Sequence, residues 1–378
     1  MNIPVTKALF GEEEVAAVRQ VLESGWVVQG PKVAEFEKLW SAFTGARFSR
    51  ATTSCTTALH LALLAIGIQP GDEVIVPAFT WVATPNAVEY CGARPIFCDI
   101  DLATFNIDPA KIESLITPRT RAIIPVHEFG LSADMDPILA IARKHGLRVV
   151  EDGACACGSL YRGQHVGVFG DIGCFSFHPR KAITTGEGGM ITSNDESYIQ
   201  IIDELRSHGA QTTDLARHQS GQGFVLPEFN RLGYNYRMTD IQGAIGIEQM
   251  KRVAGILSDR RRLAARYKEL LRDRTGIRLP SEPDGYTHVY QSFTMLVEES
   301  HAERNRVAKE LQDLGIATRQ GTHAVHALGY YRNKYGLSTH DCPAAWKADQ
   351  QSMTLPLYAS MSNEEQEYVV DTLCKVLG

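Results

Sequence analysis

No apolar run in this 378-residue sequence approaches the roughly 18 residues that would suggest a membrane span. There is no basic block or arm either. Against 38 Lys and Arg stand 44 Asp and Glu, a net charge of −6, so a nucleic-acid footprint is not supported. The N-terminal stretch MNIPVTKALFGEEEVAAV sets three consecutive acids where a signal peptide would be apolar. The expectation is a soluble, cytoplasmic protein. Cys155 and Cys157 form a C-x-C, but no second pair at finger-like spacing follows, so no metal site is expected. Internal repeats and low-complexity tracts are lacking. The eight cysteines are scattered, and in a long chain without an export signal they read as reduced thiols. What is present is ordinary globular composition, 44% hydrophobic and 22% charged, which excludes wholesale disorder. The length suits two or three units, or one large α/β domain plus a small one.

The first 55 residues read as helices and loops, with helical spacing over Glu12–Ser24 and Val33–Thr44. From Thr56 to about Ser193 short apolar runs alternate with helical stretches such as Asp134–His145. The runs are Glu73–Pro77, Pro95–Asp99, Arg121–Val126, Arg148–Asp152, Cys174–Phe177 and Met190–Thr192. This pattern predicts an α/β fold with a mostly parallel sheet covered by helices. Ligands collect beyond the carboxyl ends of such strands, near Asp152 and Ser176 here. Residues 209–230 are polar and irregular, an expected active-site loop. A long helix is expected from Met238 to about Arg274. A small α/β unit follows: a strand near Val289–Val297, a helix near Ala302–Leu314, and a last helix opened by Ser362 with Glu365 as its capping box. The expected division is residues 1–250, then residues 251–378 with the connecting helix.

The segment FSFHPRKAITTGEGGM, residues 175–190, carries the most chemistry. Lys181 follows a short strand and a proline, and precedes a Gly-rich stretch whose backbone can approach a ligand closely. A lysine held there can form a Schiff base with a carbonyl or with pyridoxal phosphate. Taken alone, a lysine is far more often a solvated surface residue. Three further requirements of pyridoxal phosphate are met elsewhere. Asp152, ending LRVVED, can partner a protonated ring nitrogen, although an aspartate there also reads as a helix cap. Ser54, Thr56 and Thr57 open a helix, where amides and dipole favour a phosphate. Trp81, after the run VIVPAFT, offers a flat aromatic at a βα turn.

Together these elements resemble the DegT- and StrS-like sugar aminotransferases, fold type I among pyridoxal phosphate enzymes. The resemblance runs nearly end to end. It includes ESGWVVQGPKVAEFE (23–37), TTSCTTALHLAL (52–63), GDEVIVPAFTWVAT (71–84), IPVHEFGLSADMD (124–136), VVEDGACACGS (149–159), GDIGCFSFHPRKAITTGEGG (170–189), GYNYRMTDIQGAIG (233–246) and LPLYASMS (355–362). It implies that Lys181 holds the cofactor covalently and later acts as general base. Asp152 would pair with the pyridinium nitrogen, Trp81 would stack on the ring, and Thr56, Thr57 and Ser176 would bind the phosphate. Asn235 would reach the cofactor phosphate of a neighbouring subunit, across a homodimer with shared sites. Two departures stand out. Cys155 occupies the position near the cofactor's phenolic oxygen where Gln, His or Glu is usual, and a thiol donates only weakly. Glu128 stands where the family's VH-L-[YF]-G segment is apolar, facing either the site or solvent.

The implied activity moves an amino group from glutamate to a nucleotide-linked keto-sugar. Arg319, His323 and His326 in RQGTHAVHALGYY are candidate substrate contacts. A keto-cyclitol acceptor is the alternative within the same chemistry, and a non-catalytic regulatory protein of the same fold is the alternative outside it. A sister branch that dehydrates sugars has histidine at the lysine position, so Lys181 argues against that branch.

Overall fold

The computed structural model describes residues 1–212 and 226–377. Its central sheet has seven strands, in the spatial order Phe48–Thr52, Gly189–Ser193, Ile172–Ser176, Arg148–Asp152, Thr120–Ile123, Glu73–Pro77 and Arg94–Cys98. Gly189–Ser193 runs antiparallel to both neighbours, and the remaining pairings are parallel. Helices such as Cys55–Ala65, Ala83–Tyr90 and Met135–His145 connect the strands. The expected mostly parallel α/β sheet is therefore present, with Glu73–Pro77 and Arg148–Asp152 at their expected bounds.

One expectation fails at the start of the chain. Phe48–Thr52, placed among helices and loops, is the edge strand of the sheet. FSRAT has almost no apolar run of its own; its strand character comes from pairing Phe48 with Ser193 through Thr52 with Gly189. The helix expected from Val33 begins at Pro31, and its first turn is capped from far away. The Asp240 carboxylate accepts the N–H groups of Gly30 at 2.8 Å, Lys32 at 3.1 Å and Val33 at 3.0 Å. Those are orphan donors of a helix start, satisfied here by tertiary contact.

The long helix spans Asp240–Leu270, opened by a capping box between Thr239 and Gln242. Beyond it, Ile277–Arg278, Phe293–Val297 and Ser352–Leu355 form a small antiparallel sheet. The helices His301–Asp313 and Asn363–Leu377 share its apolar cluster, which also takes Ile3 from the start of the chain. Ser362 and Glu365 make the expected reciprocal bonds, at 2.8 and 3.1 Å. The strand expected from Val289 begins only at Phe293. The preceding residues dock elsewhere: Val289 N–H donates to the Gly130 carbonyl and Ser292 N–H to that of Phe129. That detour brings Gln291 to the site described below.

Of the expected loop 209–230, residues 213–225 lie outside the described residues, while Ala210 pairs with Phe229 at its base. No helix among the described residues is long and apolar enough to cross a membrane.

Candidate active site

Alternation along two neighbouring strands aims the first site residues. In Ile172–Ser176 and the residue after it, Phe175 and Phe177 are buried against Trp40, with ring centroids 5.1 and 5.0 Å away. Ser176, between them, must face the other way. In Arg148–Asp152, Glu151 points into a fully buried nest, accepting from Gly167, Phe169 and Gly170 N–H at 2.7–2.8 Å. His127 Nδ1 accepts from Ala133 N–H at 3.0 Å, so its Nε2 donates to Glu151, 2.9 Å away. Burial works to raise the Glu151 carboxyl, and these donors outweigh it and hold it below the usual range. Asp152 takes the opposite face. Its two oxygens accept from the Thr84 hydroxyl at 2.8 Å and Ala154 N–H at 3.0 Å. Burial pushes this carboxyl up, while the two donors and Lys181 work to keep it ionised.

The helix Cys55–Ala65 presents its N-terminus to the site. It is buried along nearly its whole length, so its start, not its flank, is what meets the cavity. Ser54 caps it by accepting Thr57 N–H at 3.2 Å, and the Thr57 hydroxyl accepts Ser54 N–H at 3.1 Å. Gly189 runs so close that a Cβ there would lie 2.3 Å from the Ser54 carbonyl oxygen. A glycine is what lets the strand pass.

These elements converge on a cavity of about 320 Å³. Its walls include Ser54, Thr56, Trp81, Asp152, Cys155, Ser176, Lys181 and Arg319, all flagged from sequence. Lys181 sits in the connection between Ile172–Ser176 and Gly189–Ser193, its N–H donating to the His178 carbonyl at 2.8 Å. Its Nζ lies 3.1 Å from Cys155 Sγ. Burial pushes the Cys155 thiol up. Burial also works against a charged Lys181, but Cys155 and Asp152 outweigh it and hold the amine on the cationic side. Trp81 lines the cavity and is 54% exposed.

Glu128 faces this cavity and not solvent; it is only 5% exposed. Burial, with the Asp152 charge, pushes its carboxyl up to about 8 against the pull of Lys181 and Arg319. Thr84, His178, Arg180 and Gln291 also line the site and were not singled out from sequence. Thr84 was the most legible of them, one helical turn after Trp81 in TWVAT.

Four sequence candidates lie elsewhere. Thr57 does not line the cavity, because its hydroxyl is spent within the turn, donating to the Ser54 carbonyl at 2.8 Å. His326 is fully buried against Phe97, shut away from the cavity by its own short helical turn. His323 stands just outside, its ring 5.8 Å from that of Trp81, since His323–Ala324 pairs with Phe79–Thr80. Asn235 is exposed and outside the cavity of its own chain, its backbone bridged to Ser207. A larger, more open hollow of about 480 Å³ beside the edge strand also holds a lysine, Lys38, but its carboxylates Glu37 and Asp203 are paired with Arg206 and Arg50.

The donor set fits pyridoxal phosphate. A helix start with hydroxyls suits its phosphate, a buried carboxylate suits a cationic ring nitrogen, an open aromatic face suits the ring, and an amine is within the same walls.

The model of the DegT/DnrJ/EryC1/StrS aminotransferase family matches residues 9–374. The chain belongs to this family. It is 40% identical over 374 residues to the spore coat polysaccharide biosynthesis protein SpsC of Bacillus subtilis, covering 98% of this chain and 96% of that one. It is 41% identical over 364 residues to the GDP-perosamine synthase of Caulobacter vibrioides, covering 95% and 94%. Among solved structures, the PLP form of Spr1654 from Streptococcus pneumoniae superposes with a TM-score of 0.93 at 30% identity, over 100% and 98% of the two chains. Its PMP form reaches 0.94 at 31%, over 99% of each. Like other DegT/DnrJ/EryC1/StrS members, the protein is an enzyme, a pyridoxal phosphate-dependent aminotransferase with the fold of that group.

Proposed function

We propose that this aminotransferase takes an amino group from glutamate and delivers it to a nucleotide-linked keto-sugar, working as a homodimer with shared sites. The observation that carries the chemistry is the convergence of Lys181, Asp152, Trp81 and the Ser54 helix start on one cavity. The likeness to a GDP-perosamine synthase and a polysaccharide biosynthesis protein supports the sugar acceptor.

Pyridoxal phosphate, when bound, supplies an electron sink for a carbanion next to nitrogen. The residues of this chain do the rest. Asp152 would hold a proton on the ring nitrogen, its own oxygens oriented by Thr84 and Ala154. Ser176, Thr56 and the first amides of the helix Cys55–Ala65 hold the phosphate. Lys181 Nζ would hold the cofactor covalently and, when free, would remove and return the proton in both half-reactions. Arg319, in the same wall, is placed to receive a substrate carboxylate or phosphate. Asn235, exposed, is free to complete the phosphate site of a partner subunit.

The test is to offer a panel of nucleotide-linked keto-sugars with glutamate and to identify the product by mass. An aminated nucleotide sugar with 2-oxoglutarate formed in equal amount is expected. Amination of a keto-cyclitol with none of the nucleotide sugars accepted would replace this reading.

A further inference from the structure

The turn that carries Glu128 is held more firmly than a surface turn needs. Its N–H donates to Asn106 Oδ1 at 2.8 Å, and its carbonyl accepts Leu131 N–H at 3.0 Å. His127 N–H donates to the Asp152 carbonyl at 3.0 Å, on the side of the cofactor site. The following residue, Phe129, has φ of +55°, a left-handed conformation that a phenylalanine adopts only under tertiary constraint. Such strain collects where surrounding structure over-determines a functional geometry. Gly130, at φ +97°, is packed so closely that a Cβ would lie 2.7 Å from the Val289 side chain.

The side chain so placed has few partners. Its carboxyl accepts from Phe129 N–H. Among the described residues it makes no ion pair within 4 Å, although Lys181, Arg180 and Arg319 share the cavity. Arg319 spends one guanidinium N–H on the Gly321 carbonyl, at 3.0 Å. A buried carboxyl without strong partners costs stability. Its carboxyl is raised to about 8, so near neutral pH it stands mostly as the acid, with a proton to donate.

Two substrates visit this cavity in turn under the reading above. An anionic amino donor is matched by the guanidinium groups, and a second acidic side chain adds nothing to its binding. A polyhydroxylated acceptor needs a group that both donates and accepts. We infer that Glu128 determines acceptor specificity by hydrogen-bonding a ring hydroxyl of the sugar, an inference that rests on the keto-sugar reading.

The experiment separates the two half-reactions in wild type, Glu128→Gln and Glu128→Leu, each loaded with cofactor. Glutamate-driven bleaching of the cofactor absorbance reports the first; kcat/KM for the keto-sugar reports the second. Calorimetric binding of the amino-sugar product gives a readout independent of turnover. Glu128→Leu should lose about tenfold or more in acceptor kcat/KM and in product affinity, with the glutamate step within about twofold of wild type. Glu128→Gln, which keeps a donor and an acceptor, should recover most of the loss and shows that the turn still folds. Equal losses in both half-reactions, or no loss of acceptor kcat/KM in Glu128→Leu, would overturn the assignment. If wild type bleaches with glutamate yet aminates no keto-sugar, the keto-sugar reading fails first and this assignment falls with it.

Discussion

The Lys181 amine lies 3.1 Å from the Cys155 sulfur and donates a hydrogen bond to it. Burial pushes that thiol up, so it is a weak acceptor of the lysine's hydrogen bond and is expected to be neither nucleophile nor metal ligand. Cys155→Gln should keep the cofactor absorbance and a turnover within about tenfold of wild type, since one modest hydrogen bond is exchanged for another. Complete inactivation with the cofactor still bound would assign the thiol a role of its own.

Replacing Lys181 by Ala should leave a folded protein that holds pyridoxal phosphate without a covalent bond, through Asp152, Trp81 and the Thr56/Ser176 anion site. Turnover should fall by several orders of magnitude, because both the tether and the proton carrier are gone. Borohydride reduction and peptide mapping of wild type should find the cofactor on Lys181. Label on any other lysine would refute the assignment.

Asn235, exposed on its own chain, is the subject of a mixing experiment. Asn235→Ala and Lys181→Ala subunits, each impaired, should regain activity when exchanged into heterodimers, since an isologous dimer then holds one intact site. No recovery despite demonstrated exchange, followed by native mass spectrometry, would mean that each chain builds its site alone.

The Glu128 carboxyl also sets a pH dependence of stability. Its value in the fold, about 8, lies above the ordinary 4.5, so folding takes up a proton between those limits. Stability contributed by this residue is greatest below about 4.5 and declines as pH rises towards about 8. Glu128→Gln has no proton to lose. The Tm of this variant relative to wild type should climb across that interval and level off above it, as read by thermal unfolding in a buffer series. A constant difference across the series would mean that the carboxyl stays ionised throughout.

Gly189→Ala probes the backbone contact beneath the anion site. A Cβ 2.3 Å from the Ser54 carbonyl oxygen forces backbone, not a flexible side chain, to move. Weaker retention of pyridoxal phosphate on dialysis is the expected result, with a lowered Tm. Unchanged retention would show that Ser54 does not help to hold the phosphate.

Local pattern alone determined much of this molecule. Five-residue apolar runs, helix caps such as Ser362 with Glu365, and the block around Lys181 act over a few residues, and the structure keeps them. The α/β architecture follows from their alternation. Tertiary structure decided the rest, wherever a residue's role depends on what reaches it from elsewhere in the chain. FSRAT became a strand because Gly189–Ser193 lay beside it, and Asp240 became the cap of a helix more than two hundred residues upstream. His326 was sealed into the core and Thr57 was consumed by its own turn, though neither sequence neighbourhood distinguishes it from a ligand-facing position. Glu128 shows the difference most directly. Its letter reads as solvent or site with equal ease, and only the turn held by Asn106, Asp152 and the strained Phe129 turns it inward, because burial is a property of packed neighbours and not of a residue.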